Sequence, residues 1–463
     1  MTATPKITLD LLKKYDRPGP RYTSYPTAVE FAETFGPAEY AARLAEADRL
    51  AGALSLYAHL PFCEHRCTFC GCHVVITKDA DVVTKYLGYL HREIDMLAAH
   101  LPNRRQVSQY HWGGGTPTHL TPSEMEALHR KVTDHFVLEP DAEVAVEVDP
   151  RHTSVEQINL LRTLGFNRLS MGVQDFDPDV QAAVDRNQTE AQTRMMYDLG
   201  RAKGFASINL DLIYGLPLQT KAKFGRTVDV VIDMRPDRVA LYSYAHVPWI
   251  RAQQKWIEPK DLPSPEDKLQ LFLDSRDRFL AAGYVEIGMD HFALPGDELA
   301  EARSKRRLHR NFMGYTVKMG SDMVAVGVSG IGDVRGAFSQ NEKKLSRYYE
   351  VLDEGRLPVE RGYPLDRDDL IRRETITRLM CNLWLDTPAI EREFGIVFAD
   401  YFAAELAALR APDGPVVEGF VAIDPDHLEV VGLGRFFVRN IAMIFDRYLE
   451  SRSGGKPVFS RTV

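Results

Sequence analysis

Six apolar strands in series, each but the last followed by an amphipathic helix, constrain the fold more than any other feature of this sequence. The expected strands are Leu54–Leu60, Ser108–Trp112, Glu143–Val148, Arg168–Val173, Ser207–Ile213 and Arg238–Tyr242. In the helix after the first strand, Val83, Tyr86, Leu87, Leu90, Ile94 and Leu97 recur at three- and four-residue spacing. Thr121-Pro-Ser-Glu124 opens the next helix as a capping box with proline in its first turn. Thr153 with Glu156, and Thr189 with Gln192, open two more, which end near Gly165 and Gly204. A further helix runs from about Thr220 to Met234. Alternation of this kind builds a parallel α/β sheet, and right-handed crossovers curl it toward a partial (β/α)6 barrel. The chemically unusual residues sit where strands hand over to helices, the face on which parallel barrels place their sites. They are a cysteine-rich loop, Gly113-Gly-Gly115, Glu147, Gln174, Asp211 and Ala245.

The flanks differ. Residues 1–36 form an extension whose Arg17-Pro-Gly-Pro-Arg-Tyr-Thr-Ser-Tyr-Pro26 stretch is too rich in Pro and Tyr for a helix. Residues 37–300 make the barrel, 301–365 a connecting segment that closes its mouth, and 366–463 a mostly helical C-terminal domain. That last part is read as helices over Leu370–Trp384, Asp400–Leu409 and Arg435–Leu449, with a hairpin over Val417–Val431. Of the 463 residues, 44% are hydrophobic and 26% charged, which excludes a disordered or collagen-like chain. No apolar run is long enough to span a membrane. Met1–Asp10 lacks an export signal, so a cytoplasmic location is expected. A net charge of −8 argues against a nucleic-acid partner. The basic stretch Arg303, Lys305, Arg306, Arg307 and Arg310 reads as a solvated helix face, or as the dock of an acidic electron donor or of substrate carboxylates.

Cys63, Cys67, Cys70 and Cys72 lie within ten residues, and the fifth cysteine, Cys381, is far away in an apolar helix where a small core residue fits. Disulfides are disfavoured in a reducing compartment, which leaves metal or thiol redox chemistry. Structural zinc usually takes paired ligands from separated knuckles. An iron–sulfur cube spreads its irons, so a single Cys-x3-Cys-x2-Cys loop can reach three of them and leave the fourth open. Zinc and a redox thiol pair remain as alternatives. Cys63, Cys67 and Cys70 are the expected ligands. Cys72, two residues beyond Cys70, is the expected catalytic residue and not a ligand. Glu147 and Asp211 are acids in apolar strands, each needing a partner, either a ligand diol or a barrel arginine. Arg186 could grip a carboxylate with two parallel hydrogen bonds, or lie solvated on its helix.

The cysteine loop resembles that of the radical S-adenosylmethionine (SAM) enzymes. The resemblance implies a 4Fe–4S cluster whose open iron chelates SAM, and a 5′-deoxyadenosyl radical that abstracts hydrogen. Read with Gly19-Pro-Arg-Tyr-Thr-Ser-Tyr-Pro-Thr27, His111-Trp-Gly-Gly-Gly-Thr-Pro-Thr118, Glu147-Val-Asp-Pro-Arg151, Leu169-Ser-Met-Gly-Val-Gln-Asp-Phe176, Asp211-Leu-Ile-Tyr-Gly-Leu-Pro217, Gly288-Met-Asp-His-Phe292 and Leu308-His-Arg-Asn-Phe312, the chain is similar to the oxygen-independent coproporphyrinogen III oxidases over its whole length. Haem-chaperone relatives typically lack the fourth loop cysteine and the Tyr-Thr-Ser-Tyr-Pro segment, and both are present here.

The resemblance implies decarboxylation of two propionates of coproporphyrinogen III to vinyl groups, giving protoporphyrinogen IX for haem synthesis. It implies one 4Fe–4S cluster and two SAM molecules. Tyr57, Gly114, Glu147 and Ile331 would bind the first SAM, and Phe69, Gly115, Thr116, Gln174, Arg186, Asp211 and Ala245 the second. The implied partners are coproporphyrinogen III and an electron donor such as flavodoxin or ferredoxin, with the chain acting as a monomer.

Overall fold

A computed structural model describes residues 7–318, 322–449 and 458–462. The first six residues of the Met1–Asp10 stretch lie outside the described residues. The chain divides into two compact units. One comprises Phe31–Gly283 and Lys318–Pro364, the other Met1–Glu30, Tyr284–Val317 and Leu365–Val463. This grouping cuts across the four consecutive segments read from the sequence, because each unit is assembled from stretches that leave and return.

The first unit is built on a sheet. Its strands are β1 (Leu54–Leu60), β2 (Gln106–Gly114), β3 (Val137–Val148), β4 (Arg168–Gln174), β5 (Ser207–Tyr214), β6 (Arg238–Ser243), β7 (Met323–Val326), β8 (Ile331–Val334), β9 (Ala337–Asn341) and β10 (Val359–Pro364). Their order is β10-β9-β8-β7-β1-β2-β3-β4-β5-β6. From β7 to β6 every neighbouring pair is parallel, whereas β7 to β10 pair antiparallel. The six expected strands are all present, and β7 adds a seventh parallel member beside β1.

The sequence accounts for these elements locally. Six of the seven residues of β1 are buried, as expected for a parallel strand covered on both faces. Helix α1 (Ala80–His100) buries Val83, Tyr86, Leu87, Leu90, Ile94 and Leu97 on one stripe and is capped by Asp79. Helices α2 (Pro122–Thr133), α4 (Glu190–Ala202) and α5 (Lys221–Met234) start at Thr121, Thr189 and Thr220 as read. The cap of α3 (Val155–Thr163) is Ser154 with Gln157, one residue later than the expected Thr153. Thr153 is otherwise engaged: its hydroxyl donates to the Asp149 carbonyl at 2.8 Å.

The second unit is mostly helical. Leu9–Tyr15 is a helix ahead of the Pro- and Tyr-rich stretch. The helix Arg367–Asn382 stops short of Trp384, because Leu383 turns left-handed and Trp384 pairs with Glu429 in a strand. The expected hairpin forms between Val421–Ile423 and His427–Val430. The expected helix over Arg435–Leu449 reduces to Val438–Ala442, flanked by 3₁₀ turns. Phe437, Val438, Ile441, Ala442 and Phe445 keep helical spacing and are buried. The backbone nevertheless tightens beside Gly434, which has no room for a side chain against the Phe420 carbonyl. Cys381 is a buried core residue beside Ile287, Leu299 and Tyr315.

Candidate functional site

The C-terminal ends of the parallel strands carry the candidate site. β1 runs straight into the cysteine loop, and the glycines after β2 clasp it. Gly115 N–H donates to the Leu60 carbonyl and Thr116 N–H to the Phe62 carbonyl, both at 2.8 Å. A Cβ on Gly115 would lie 2.6 Å from the Phe62 oxygen and the Pro61 carbonyl carbon, so only glycine permits this approach. Gly114 has φ of +114°, and a Cβ there would strike the His59 ring at 2.5 Å. A Cβ on Gly113 would meet the Glu147 carboxylate at 3.0 Å.

The loop thiols are free and differ in surroundings. Cys63 Sγ lies 3.4 Å from Thr116 Oγ1, and burial pushes its thiol up to about 11. Cys67 is buried with guanidinium nitrogens of Arg186 and Arg151 at 3.7 and 3.8 Å. Cys70 receives the Cys72 backbone N–H at 3.4 Å. A hydrogen bond from the Cys72 thiol pulls Cys70 down to about 6, and the same bond raises Cys72. Among the described residues no set of three metal-binding side chains is gathered around one ion.

One face of the sheet lines the site with polar groups at two-residue spacing. The Tyr57 ring stacks on His111 at 5.8 Å, and its hydroxyl lies 3.1 Å from His59 Nδ1. Burial holds His59 down to about 4, so it is neutral, with Nε2 3.1 Å from the His73 carbonyl. His111 Nε2 is 3.5 Å from Glu147, which also accepts the Gly114 N–H at 3.1 Å. Burial opposes ionisation of Glu147, but His111 and this N–H outweigh it and lower its pKa. Asp211 accepts from Asn209 at 2.8 Å and Ser170 at 3.3 Å. Burial first, and the Glu147 charge second, push Asp211 up to about 7.

Arg186 is 7% exposed. It donates to Asp149 at 3.1 Å and to the Gly172 carbonyl at 2.6 Å. It is thus an anchored interior group, not a solvated helix residue. Asp149, held also by Arg151 at 2.7 Å, stays well below the usual carboxylate range because these guanidinium groups outweigh its burial. Gln174 has φ of +70°. Its Oε1 and the Arg186 Nε are buried with no hydrogen-bond partner among the described residues. Buried polar atoms are rarely left so. Phe69 packs against Val180, Val184, Leu216, Tyr244 and Ile257. The Gln254 side-chain amide donates to the Phe69 and Ala245 carbonyls, each at 3.1 Å. Ile331 opens β8, half-buried, opposite Gln340.

The structure therefore brings Tyr57, Gly114, Gly115, Thr116, Glu147, Gln174, Arg186, Asp211 and the cysteine loop to one end of one sheet. Five contributors escaped sequence reasoning: His111, Ser170, Asn209, Asp149 and Gln254. The first three sit two or four residues before site positions on the same strands, so β-alternation could have found them. Glu93 is a further buried acid, pushed up to about 7 by burial. It accepts the Gly327 N–H at 2.7 Å and Asn341 at 2.6 Å, and fixes the turn between β7 and β8.

A parallel sheet with a glycine-clasped cysteine loop at its strand ends is the architecture of radical SAM proteins, and the model of the Radical SAM superfamily matches residues 57–231. Over the full chain the likeness narrows. The oxygen-independent coproporphyrinogen III oxidase of Pseudomonas aeruginosa is 44% identical, with 100% of each chain covered. That of Escherichia coli is 44% identical, with 98% of each covered. The solved structure of the Escherichia coli coproporphyrinogen III oxidase, described as a radical SAM enzyme, superposes with a TM-score of 0.90 at 42% identity, covering 96% of this chain and 99% of that one. The chain belongs to the oxygen-independent coproporphyrinogen III oxidase family.

Proposed function

We infer that this chain converts coproporphyrinogen III to protoporphyrinogen IX without oxygen, as a radical SAM enzyme of porphyrin and haem synthesis. The observation that carries the reading is the cysteine loop clasped by Gly115 and Thr116, in a chain 44% identical end to end to a relative of that name. When bound, a 4Fe–4S cluster and SAM supply the 5′-deoxyadenosyl radical that takes hydrogen from a propionate side chain.

The protein's own part is to hold and orient. Cys63, Cys67 and Cys70 are the cluster ligands, and the Arg151 and Arg186 guanidiniums lie beside Cys67. Cys72 is the catalytic cysteine outside the ligand set. Tyr57, Gly114, Glu147 and Ile331 take one SAM, with the Glu147 carboxylate, kept ionised by His111 and Gly114, free to accept from a diol. Phe69, Gly115, Thr116, Gln174, Arg186, Asp211 and Ala245 take a second. The two unpartnered atoms on Gln174 and Arg186 support that assignment. The Asp211 carboxyl, near 7, carries a proton for much of the neutral range. A flavodoxin or ferredoxin supplies electrons, and the enzyme works as a cytoplasmic monomer. Among the described residues no helix is long and apolar enough to cross a membrane.

Anaerobic reconstitution with iron and sulfide, followed by SAM, reductant and coproporphyrinogen III, tests the reading. Protoporphyrinogen and 5′-deoxyadenosine should appear in a fixed ratio. Serine at Cys63, Cys67 or Cys70 should abolish the cluster absorbance, while Cys72→Ala should keep it and lose turnover. Reconstituted protein that forms no vinyl product overturns the assignment.

A further inference from the structure

The cysteine loop also faces solvent. His65, Arg66, Gly71 and Cys72 are exposed. Against the loop lies the segment 249–256. Gln253 Nε2 donates to the Cys70 carbonyl at 2.6 Å, and Gln254 Nε2 to the Phe69 carbonyl at 3.1 Å. Trp249, Ile250 and Trp256 on this segment are 51%, 52% and 77% exposed. Arg251 and Lys255 stand between them. Arg66, on the loop, donates to the Val74 carbonyl at 3.1 Å.

This face carries cations that no carboxylate pairs among the described residues, beside an exposed acid, Glu258, two residues past Trp256. Lys78 approaches Glu64 at 3.7 Å and Lys343 pairs with Glu360 at 3.2 Å. Arg66, Arg251 and Lys255 have no carboxylate partner among the described residues. Yet the whole chain carries a net charge of −8. A local concentration of cations and large aromatics on an acidic protein marks an interaction surface, since complementary charge steers encounter and Trp and Arg anchor interfaces. A small ligand is taken into a concave site that buries most of it. Side chains as exposed as Trp256 fit a protein partner instead.

We propose that this face, formed by Arg66, Trp249, Arg251, Lys255 and Trp256, docks an acidic one-electron carrier protein of the flavodoxin or ferredoxin class. This rests on the reading that a carrier protein supplies the reducing electron. Gln253 and Gln254 tie the docking segment to the backbone of Cys70 and Phe69, so a carrier seated here is one short loop from the thiols. The carrier's reduced flavin or iron–sulfur centre is oxidised by one electron, the group held by Cys63, Cys67 and Cys70 takes that electron up, and no bond is made or broken. The basic stretch 303–307, the other candidate dock, is partly committed elsewhere: Arg303 donates to the Asn382 carbonyl at 2.7 Å and Arg306 lies 3.5 Å over the Trp384 ring.

The test measures binding of a fluorescently labelled flavodoxin, and separately a ferredoxin, to the reconstituted holoenzyme by anisotropy at low and high salt. Turnover is then compared with the carrier and with dithionite. Arg251→Glu/Lys255→Glu should weaken carrier binding by about tenfold or more at low salt and flatten its salt dependence. Trp256→Ser should weaken it at both salts. Both variants should lose carrier-driven turnover and keep dithionite-driven turnover. Wild-type affinity in both variants, equal loss with dithionite, or a raised KM for coproporphyrinogen in place of weaker carrier binding each overturns the proposal. A wild-type enzyme that binds neither carrier also overturns it. Failure of dithionite-driven turnover in the wild type refutes the functional reading itself, independently of docking.

Discussion

Gly115→Ala isolates the contact that shapes the cysteine loop. The new Cβ would lie 2.6 Å from two backbone atoms, the Phe62 oxygen and the Pro61 carbonyl carbon. Neither belongs to a side chain that can rotate away, so β1 and the chain after β2 must separate by close to an ångström. Two hydrogen bonds hold those segments together, Gly115 N–H to Leu60 and Thr116 N–H to Phe62, and both would stretch. Overpacking of this kind destabilises by about 1–3 kcal/mol. For a unit of this size that is a fall of about 2–6 °C in Tm. Cys63 follows Phe62 directly, so the thiol moves with the strain and iron retention should fall with stability. Gly71→Ala is the internal control: it lies on the same loop, and its Cβ would meet nothing within 4 Å. Differential scanning fluorimetry of both variants, with iron and sulfide assays after reconstitution, separates the cases. Wild-type Tm and iron content in Gly115→Ala, or equal losses in Gly71→Ala, would refute the reasoning.

Three further outcomes are expected. Gln174→Ala removes a buried oxygen that has no protein partner, so calorimetry should show weaker SAM binding, by about tenfold, with Tm unchanged or slightly raised; a drop of several degrees would mean the side chain is structural. Gln254→Ala deletes the donor to the Phe69 and Ala245 carbonyls and the acceptor of the Val247 N–H at 2.6 Å, and should cost about 1–3 kcal/mol, read by chemical denaturation; loss of less than a few tenths would show that water replaces it. Glu93, held near 7 against an ordinary 4.5, binds its proton more tightly folded than unfolded, so its contribution to stability should fall as pH rises from about 4.5 to about 7; Glu93→Gln should flatten that part of a Tm-against-pH profile, and an unchanged slope would assign it to other groups.

Much of the sheet unit was legible because parallel strands buried on both faces must be apolar throughout. Leu54–Leu60 could therefore be placed to the residue. β7 was not legible: Met323–Val326 is four residues long, too short for periodicity to distinguish it from any other apolar run. Its place beside β1 depends on pairing across more than 250 residues. The cysteine loop and the glycine triplet were visible as spacing, yet the reason for Gly115 is a carbonyl contributed by another strand end. Arg186 could not be told from a surface arginine by pattern alone, since only the fold reveals that Asp149 and Gly172 meet it. In the C-terminal helices the buried positions were readable but the backbone was not, because 3₁₀ and α turns place apolar residues at nearly the same spacing.

The pairing of β7 with β1 has a consequence for biogenesis. The ribosome emits Leu60 and the cysteine loop long before Val326, the last residue of the strand that borders them. At ordinary elongation rates the interval is on the order of 10 to 50 seconds. Throughout it, the nascent chain presents one naked edge of its first strand next to a set of reactive thiols. Protection of that edge is therefore a task of the newborn polypeptide, to which chaperones have access before the sheet is complete.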